Sequence, residues 1–335
     1  MRLGVINWDA TYLPNTYFGY YCSRSLSPSK YRNRVPYFAT IEGENKISFP
    51  PKTQESYDAE LQLAIDAGID YFAYVWYGEE NQTALGYRPT DFKDCSGSVW
   101  ELNTSRHLYT TSKLNAKINM CAIMCSHPMT DYDLRLLTYE MAQPYYEKIN
   151  GRPLLYFFAG AGRADEILRV KRFCRAKGFD PYICVMGIPS AGFPFDEVDA
   201  LSQYAVCKGD IRTFAELMDE QILKNEQRNA CPVRETIPGF TMGWNPDPRI
   251  DSPCPWTNYA VKEYTGAPTP AEAMEQAQRL AQWIKDNPKA QSGHILTYAW
   301  NEFEEGGWIC PTVTDNSNWQ GFRAVAKYWH ETFGE

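Results

Sequence analysis

The sequence predicts one (β/α)8 barrel over residues 1–335, with long aromatic-rich loops after its strands. Eight apolar segments typical of buried strands alternate with segments of helical periodicity, and no linker or repeat interrupts them. Connections after helices are short, as at residues 67–70 and 177–180, whereas connections after strands are long and aromatic. This asymmetry is typical of a barrel whose working face lies at the carboxyl ends of its strands.

A doubly wound open sheet is the alternative architecture. Its dinucleotide-binding form carries a Gly-x-Gly-x-x-Gly turn after the first strand, where this chain has Ile6-Asn-Trp-Asp9. The absence of those glycines favours the barrel.

The eight predicted strands are short runs of apolar and aromatic residues. They cover residues 3–8, 70–76, 117–124, 153–158, 182–186, 204–207, 237–243 and 295–299. A long irregular segment, residues 9–51, follows the first strand, and a Pro- and Asp-rich loop, residues 244–268, follows the seventh.

Start and stop signals bound the predicted helices. Thr53 caps the first helix, and Thr213 with Glu216 and Thr269 with Glu272 have the spacing of a capping box. The remaining helices are predicted from about residue 103 to 115, from about 131 with an interruption at the proline in position 144, over 163–177, and over 319–333.

Composition excludes several classes of partner. The formal net charge is −8 and no basic run occurs, which argues against nucleic acid and anionic membranes. No apolar stretch reaches the roughly 18–20 residues that span a bilayer. The first predicted strand begins at residue 3 without a signal peptide, so we expect a cytoplasmic protein, or a secreted or periplasmic one if a leader was removed.

The ten cysteines are scattered, and several lie inside predicted strands. Cys121 and Cys125 do not have Cys-x-x-Cys spacing, and no second cluster follows them. We therefore expect reduced, buried thiols and neither a disulfide framework nor a zinc site.

Aromatic residues make up 15% of the chain, with 10 Trp and 23 Tyr, and many lie in the predicted loops. Flat rings with one polar edge suit a surface that holds polyhydroxylated sugar rings. A large core that needs aromatic side chains is the other interpretation.

The end of the eighth predicted strand contains the densest group of carboxylates, in the run Trp300-Asn-Glu-Phe-Glu-Glu-Gly306. Catalytic groups of a barrel project from the carboxyl ends of its strands. A carboxylate beside large apolar groups tends to have a raised pKa, which a general acid needs at neutral pH. Glu302 is the first catalytic candidate, and a structural carboxylate paired with an arginine is the alternative.

Geometry alone does not decide which carboxylate is the catalytic partner of Glu302. Along an ideal strand, Glu302 and Glu304 share a face and Glu305 points the other way. A turn would instead place Glu302 and Glu305 on the same side, and the glycines at 306 and 307 allow one.

The same run, followed by Pro311-Thr312, resembles the W-N-E-x-x-E-G signature of glycoside hydrolase family 99 and of the related WbsX-type proteins of polysaccharide loci. Residues 67–78 and 151–156 resemble other parts of that group. The resemblance implies a (β/α)8 barrel of retaining endo-acting α-mannosidases and α-mannanases.

The resemblance also implies roles for two carboxylates. Glu302 matches the family's base, which removes the proton of the substrate's own 2-hydroxyl and so forms a 1,2-anhydro sugar. Glu305 matches the general acid, which then becomes the base for water. The chain departs from the family at Phe303-Glu304, and a third carboxylate there raises the pKa of the acid by like-charge repulsion.

Further sugar-binding candidates occupy the same predicted face, either at the ends of other strands or beside the pair. They are Trp8, Asp9, Trp76, Tyr77, His127, Trp244, Asn245, Trp300, Asn301, Glu304 and Trp308.

No metal or other cofactor is predicted. His127 has no second His or Cys at ligand spacing, and Asp247 with Asp251 lacks the EF-hand pattern. His294, at the amino end of the eighth strand, is expected to be structural.

The sequence therefore predicts a glycoside hydrolase that cleaves an α-linked oligo- or polysaccharide, mannoside-like, with a pair of carboxylates. Two alternatives remain, a WbsX-type glycosyltransferase or polysaccharide biosynthesis protein and a carbohydrate-binding barrel without catalysis.

Overall fold

The computed structural model describes residues 1–8, 12–14, 16–77, 104–125, 129–158, 164–189, 193–207, 213–257, 259 and 265–334. In chain order the strands are β1 (Arg2–Asn7), β2 (Thr40–Gly43), β3 (Lys46–Ser48), β4 (Tyr71–Trp76), β5 (Asn119–Met124), β6 (Lys148–Ile149), β7 (Arg152–Phe158), β8 (Tyr182–Met186), β9 (Ala200–Ser202), β10 (Glu235–Thr236), β11 (Gly239–Thr241), β12 (His294–Tyr298), β13 (Asn301–Glu302) and β14 (Gly307–Trp308). The helices are α1 (Tyr17–Leu26), α2 (Gln54–Asp66), α3 (Thr104–Thr111), α4 (Asp131–Met141), α5 (Ala164–Ala176), α6 (Phe214–Asn229), α7 (Asp247–Asp251), α8 (Pro270–Asp286) and α9 (Ser317–Phe333).

A curled parallel sheet with the order β10-β9-β8-β7-β5-β4-β1-β12-β11 forms the centre of the molecule. Its two end strands, β10 and β11, are consecutive in the chain and are separated by Ile237 and Pro238. Ile237 N donates to Leu201 O at 2.9 Å, and Leu296 N donates to Pro238 O at 3.0 Å. The segment therefore joins the sixth strand position to the eighth, and the (β/α)8 prediction is confirmed.

Pro238 explains why the seventh strand position is divided. Proline has no N–H to donate to a ladder, so regular pairing stops on either side of it. The predicted strand at residues 237–243 accordingly contains β11 alone, and β10 lies just before it.

The strands are buried on both faces because helices cover the outside and neighbouring side chains fill the inside. All six residues of β4 are no more than 4% exposed. Along α8, the apolar residues that recur at helical spacing are buried, namely Ala273, Ala277, Leu280, Ala281 and Ile284. None of the described helices is long and apolar enough to cross a membrane.

The sixth strand was predicted wrongly. It covers β9 and not residues 204–207, which follow its carboxyl end. Asp199 precedes it as a buried carboxylate that binds Arg152 Nη1 at 2.6 Å and the Ile183 N–H at 3.0 Å. The residue just before this strand is thus held by polar contacts, which a search for apolar runs does not detect. Because the strand ends at Ser202, Tyr204 lies beyond its carboxyl end, on the working face of the barrel.

Two segments that were predicted to be irregular contain helices. The segment at 9–51 holds α1, a 3-10 helix at Ser29–Arg34 and the hairpin β2–β3, and the loop at 244–268 holds α7. Helix α1 is rich in aromatic and serine residues, which are mediocre helix formers. Tertiary contacts stabilise it, among them Phe18 against Trp256 at 4.8 Å between ring centroids and Arg24 Nη2 to Pro253 O at 2.6 Å.

The nine cysteines within the described ranges are all free thiols. Six of them are buried, which agrees with the expectation of reduced core thiols.

A buried carboxylate organises the amino-terminal side of the barrel. Glu147 accepts hydrogen bonds from Arg2 Nε at 2.6 Å and from Asn119 Nδ2 at 2.8 Å, and His294 Nε2 lies 2.9 Å from it. Burial raises the pKa of Glu147, but the hydrogen bonds and charges of His294 and Arg2 outweigh it and leave the pKa below the ordinary 4.5. His294 therefore has the structural role that was expected of it.

Glu147→Gln is expected to lower the free energy of unfolding at pH 7 by about 1–3 kcal/mol, because Arg2 and His294 lose a buried charged acceptor. Since the pKa is lowered in the folded state, this contribution is present at neutral pH and is lost as the pH falls below 4.5, through the lowered value. Urea unfolding as a function of pH measures it. Glu331→Gln, which removes a carboxylate paired with Lys327 in solvent, is the matched control and should change stability by less than about 0.5 kcal/mol. Equal losses in the two variants would contradict the prediction.

Candidate active site

A tight hairpin beyond the carboxyl end of β12 carries the three glutamates. Strands β13 and β14 pair antiparallel, and the backbone N–H groups of Glu305 and Gly306 both donate to Glu302 O at 3.1 Å. Gly306 has φ of +86°, and a Cβ there would lie 2.2 Å from the backbone N of Asn245. Only glycine fits that turn without moving the neighbouring backbone.

One guanidinium contacts all three carboxylates. Arg249, on α7, is 2% exposed. Its Nη1 binds Glu305, and its Nη2 lies 3.2 Å from Glu304 Oε1 and 3.7 Å from Glu302 Oε2. The turn thus brings Glu302 and Glu305 to a common centre and adds Glu304 to it. Pairing with an arginine, the structural alternative for Glu302, occurs inside the same cluster.

Two indole rings lie against the guanidinium of Arg249. Its Cζ is 5.2 Å from the ring centroid of Trp8 and 5.8 Å from that of Trp256, and the two rings meet edge to face at 6.2 Å. Such contacts favour the cation in a place that excludes water. The two indole rings therefore stabilise the positive charge of Arg249, which the three carboxylates need as a counter-charge.

Tyrosine hydroxyl groups supply most of the remaining hydrogen bonds to the carboxylates. Tyr204 donates to Glu302 Oε1 at 2.8 Å, and Tyr12 donates to Glu304. Glu305 accepts from Tyr298 at 2.7 Å on Oε2 and from Tyr259 at 2.8 Å on Oε1.

The environment of Glu302 is that of a carboxyl group able to hold a proton at neutral pH. The residue is 1% exposed, and no described donor forms a hydrogen bond with its Oε2. Burial raises the pKa of Glu302 to about 7; Arg249 acts to lower it, the negative charge of Glu304 to raise it, and the Tyr204 hydrogen bond to lower it.

Asn301 and Trp8 lie next to this cluster, as predicted. Asn301 Oδ1 accepts from Trp8 N at 2.9 Å, and its Nδ2 donates to Trp8 O at 3.1 Å and to Asn7 Oδ1 at 3.2 Å. Asn301 therefore ties the end of β1 to the hairpin. Its amide holds the backbone, which gives it a positioning role in this structure.

Trp244, Asn245 and Tyr77 also lie around the cluster. The ring of Trp244 contacts Tyr298 at 5.8 Å, and Asn245 N donates to Glu305 O at 2.7 Å. Tyr77 is half-buried and stacks on Phe18 at 6.5 Å.

Three of the predicted tryptophans point elsewhere. Trp76 is fully buried and packs under the guanidinium of Arg106 at 4.9 Å, and the indole N–H of the fully buried Trp300 donates to Glu60 at 2.8 Å. Trp308 lines a separate cavity of about 440 Å³. Adjacent residues of a strand face opposite sides, so being at a strand end does not bring each of these rings into the site.

Asp9 and His127 lie outside the described residues. Within the described ranges, no three His, Cys, Asp or Glu side chains are placed to hold a metal ion.

Sequence reasoning missed several residues of the cluster, namely Arg249, Tyr12, Tyr204, Tyr259, Tyr298 and Trp256. One signal could have indicated the first of them. Three neighbouring glutamates at a strand end need a cation, and Arg249 lies in the loop that follows the adjacent seventh strand. The misplaced sixth strand hid Tyr204.

Two solved structures of glycosidases have the same fold as this chain. The GH99 endo-α-mannosidase of Bacteroides thetaiotaomicron in complex with bis-tris propane matches with a TM-score of 0.59 and 11% identity, over 99% of this chain and 97% of that one. A second structure described as that organism's GH99 endo-α-mannosidase matches with a TM-score of 0.53 and 12% identity, over the same shares of the two chains. No protein-family model and no curated protein matches the sequence.

The likeness extends over nearly the whole of both chains, so this protein has the α/β barrel fold of those structures. Those two structures come from the family whose signature the residues at the end of the eighth strand resemble. At such low identity, the likeness establishes the architecture alone.

Proposed function

We propose that the protein is a glycoside hydrolase that cleaves an α-linked, mannoside-like oligo- or polysaccharide, with Glu302 and Glu305 as its catalytic carboxylates. The observation that carries the proposal is that two glutamates at the carboxyl end of the last barrel strand face one buried centre in unlike surroundings. Hydrolysis of a glycosidic bond needs two carboxyl groups in different protonation states, and unlike surroundings produce that difference.

The Oε2 atom of Glu302, which accepts no hydrogen bond from any described group, favours catalysis over sugar binding alone. A buried carboxyl oxygen without a hydrogen-bond partner costs free energy. Such a cost is typical of sites where a group must act on a ligand.

Aromatic side chains around the carboxylates suit a pyranose substrate. Trp8, Tyr77 and Trp256 form a continuous aromatic group with Phe18 next to Arg249. Rings of this kind pack against the apolar face of a sugar, while the neighbouring polar groups bind its hydroxyls.

Release of reducing ends tests the proposal. The wild-type protein is incubated with a panel of α-linked mannose oligosaccharides, and new reducing ends are measured. Turnover of at least one α-mannoside is expected. Turnover only with an activated sugar donor would instead favour a WbsX-type transferase, and no turnover with either would contradict an enzymatic role.

A 2-deoxy substrate tests the mechanism. If hydrolysis runs through a 1,2-anhydro sugar, as the family resemblance implies, the substrate's own O2 is the nucleophile, and removing it should abolish turnover. The cleaved substrate and its 2-deoxy analogue are compared at equal concentration. Efficient hydrolysis of the analogue would show that a protein group or water attacks the anomeric carbon directly.

A further inference from the structure

Glu305 accepts hydrogen bonds on both of its oxygens. Tyr259 and Arg249 donate to Oε1, and Tyr298 donates to Oε2. Hydrogen bonds that end on a carboxylate stabilise its ionised form, and a guanidinium adds a full opposite charge. A proton on Glu305 would weaken all three of these hydrogen bonds, because each is stronger to an ionised carboxylate.

Among the described residues, Glu302 has a single hydrogen-bond donor. Tyr204 binds its Oε1, and its Oε2 is 3.7 Å from Arg249, beyond hydrogen-bonding distance. That oxygen is buried and has no hydrogen bond from any described group. It is the carboxylate oxygen of the cluster on which a proton replaces no hydrogen bond from a described group.

The balance of charge leads to the same division. Arg249 supplies one positive charge to three buried carboxylates, and its two terminal nitrogens are nearest to Glu305 and Glu304. Two ionised carboxylates around one guanidinium cost less than three. The glutamate farthest from the cation, Glu302, is therefore the one to carry a proton, and its pKa of about 7 agrees with this.

The described ionisable groups that act on Glu302 lie on several elements around it. They are Tyr12 after β1, Tyr204 and Cys207 after β9, Arg249 on α7, Tyr298 on β12, and Glu304 in the hairpin turn. Burial raises the pKa of the three phenols well above the ordinary 10, so these hydroxyl groups stay neutral, and the described charges that act on the pKa of Glu302 are those of Arg249 and Glu304.

We infer that Glu302 is the proton donor of this site and that Glu305 is its ionised partner, held so by Arg249, Tyr259 and Tyr298. This is the reverse of the assignment that the family resemblance implies for the two positions. The inference rests on the proposed function and makes Arg249 a positioning residue.

The proton transfers balance with these roles. Glu305 takes the proton of the sugar 2-hydroxyl while O2 attacks C1, the glycosidic C1–O bond breaks, and the leaving oxygen takes the proton of Glu302. Glu302, now ionised, takes a proton from the water whose oxygen attacks C1. The C1–O2 bond then breaks, and O2 recovers the proton held by Glu305.

Infrared spectroscopy tests the protonation states without requiring turnover. Protein labelled with ¹³C in its glutamate carboxyl groups is examined at pH 6. A protonated-carboxyl band is expected in the wild type, and it should be absent from Glu302→Gln. A band that survives in Glu302→Gln would overturn the inference, even if no substrate had been found.

Leaving-group dependence tests the roles in turnover. The probes are an α-mannobiosyl fluoride, whose fluoride leaves without needing a proton, and an α-linked mannose oligosaccharide. We expect Glu302→Gln to lower kcat/KM by at least about 10²-fold on the oligosaccharide and by much less on the fluoride, because only the oligosaccharide needs an acid. Glu305→Gln should lower kcat/KM by similar factors on both probes.

The pH profile supplies a second readout for the same variants. In the wild type, kcat/KM on the oligosaccharide should fall as the pH rises through about 7, since the free enzyme then loses the Glu302 proton. In Glu302→Gln that limb should vanish. The assignment would be overturned if Glu305→Gln kept its activity on the fluoride, or if both variants lost activity equally on both probes. A wild-type protein that is inactive on both probes would count against the proposed function itself.

Discussion

Glu302→Gln and Glu305→Gln are each expected to lower kcat on an α-linked oligosaccharide by about 10²–10⁴-fold or more. Glutamine keeps the size of the side chain, but it neither donates an acidic proton nor accepts one. Both groups are needed in one catalytic cycle, so either loss should stop turnover. Reducing-end release under saturating substrate measures the effect.

The stability of the same variants separates lost chemistry from lost folding, and the two should differ. Because the folded-state pKa of Glu302 is raised to about 7, its ionisation opposes folding above that pH and the protein gains stability on acidification towards 4.5. Glu302→Gln removes this cost, so its melting temperature at pH 8 should equal or exceed that of the wild type. Glu305→Gln breaks a buried ion pair and should melt lower. Glu331→Gln is the exposed control for both assays, and wild-type rates in Glu302→Gln and Glu305→Gln would exclude this site.

Arg249→Met should have the largest effect on stability of any substitution in the cluster. It leaves three buried carboxylates without the cation that contacts all of them, and breaking a buried pair in this way costs about 3–5 kcal/mol. The loss should be greatest at high pH and should shrink on acidification. Without the guanidinium, the buried carboxylates repel one another uncompensated, and protonation at lower pH relieves that repulsion.

Chemical unfolding of Arg249→Met between pH 8 and pH 5 measures this dependence. Arg279→Met, which removes a half-exposed guanidinium paired with Asp219, is the matched control and should change the free energy of unfolding by less than about 0.5 kcal/mol. A pH-independent loss in Arg249→Met would mean that packing against Trp8 and Trp256, and not charge, is what Arg249 supplies.

The alternation of apolar strand segments with segments of helical periodicity was enough to predict the barrel. Buried parallel strands need continuous apolar runs and covering helices need one apolar face, and both patterns are local. The predicted capping boxes at Thr213 and Thr269 are confirmed for the same reason, since a cap involves residues three apart. Elements held by distant partners were missed. An example is β9, because the residue before it, Asp199, is fixed by an ion pair with Arg152.

The candidate site was predictable in part. The position of Glu302 at the end of the eighth strand and the glycine at 306 were sufficient to propose a carboxylate pair on a turn. Strand position alone could not say that Trp76 and Trp300 turn into the core, because one residue of register moves a side chain to the other face.

By itself the sequence determined where acidic groups gather and what fold presents them, because periodicity and glycine placement act over a few neighbouring residues. Only the tertiary structure decided how those groups differ. Arg249 is 53 positions from Glu302, and Tyr204 is 98 positions away from it. Charge and hydrogen bonding depend on distances of a few ångströms, and the folding of the whole barrel sets those distances.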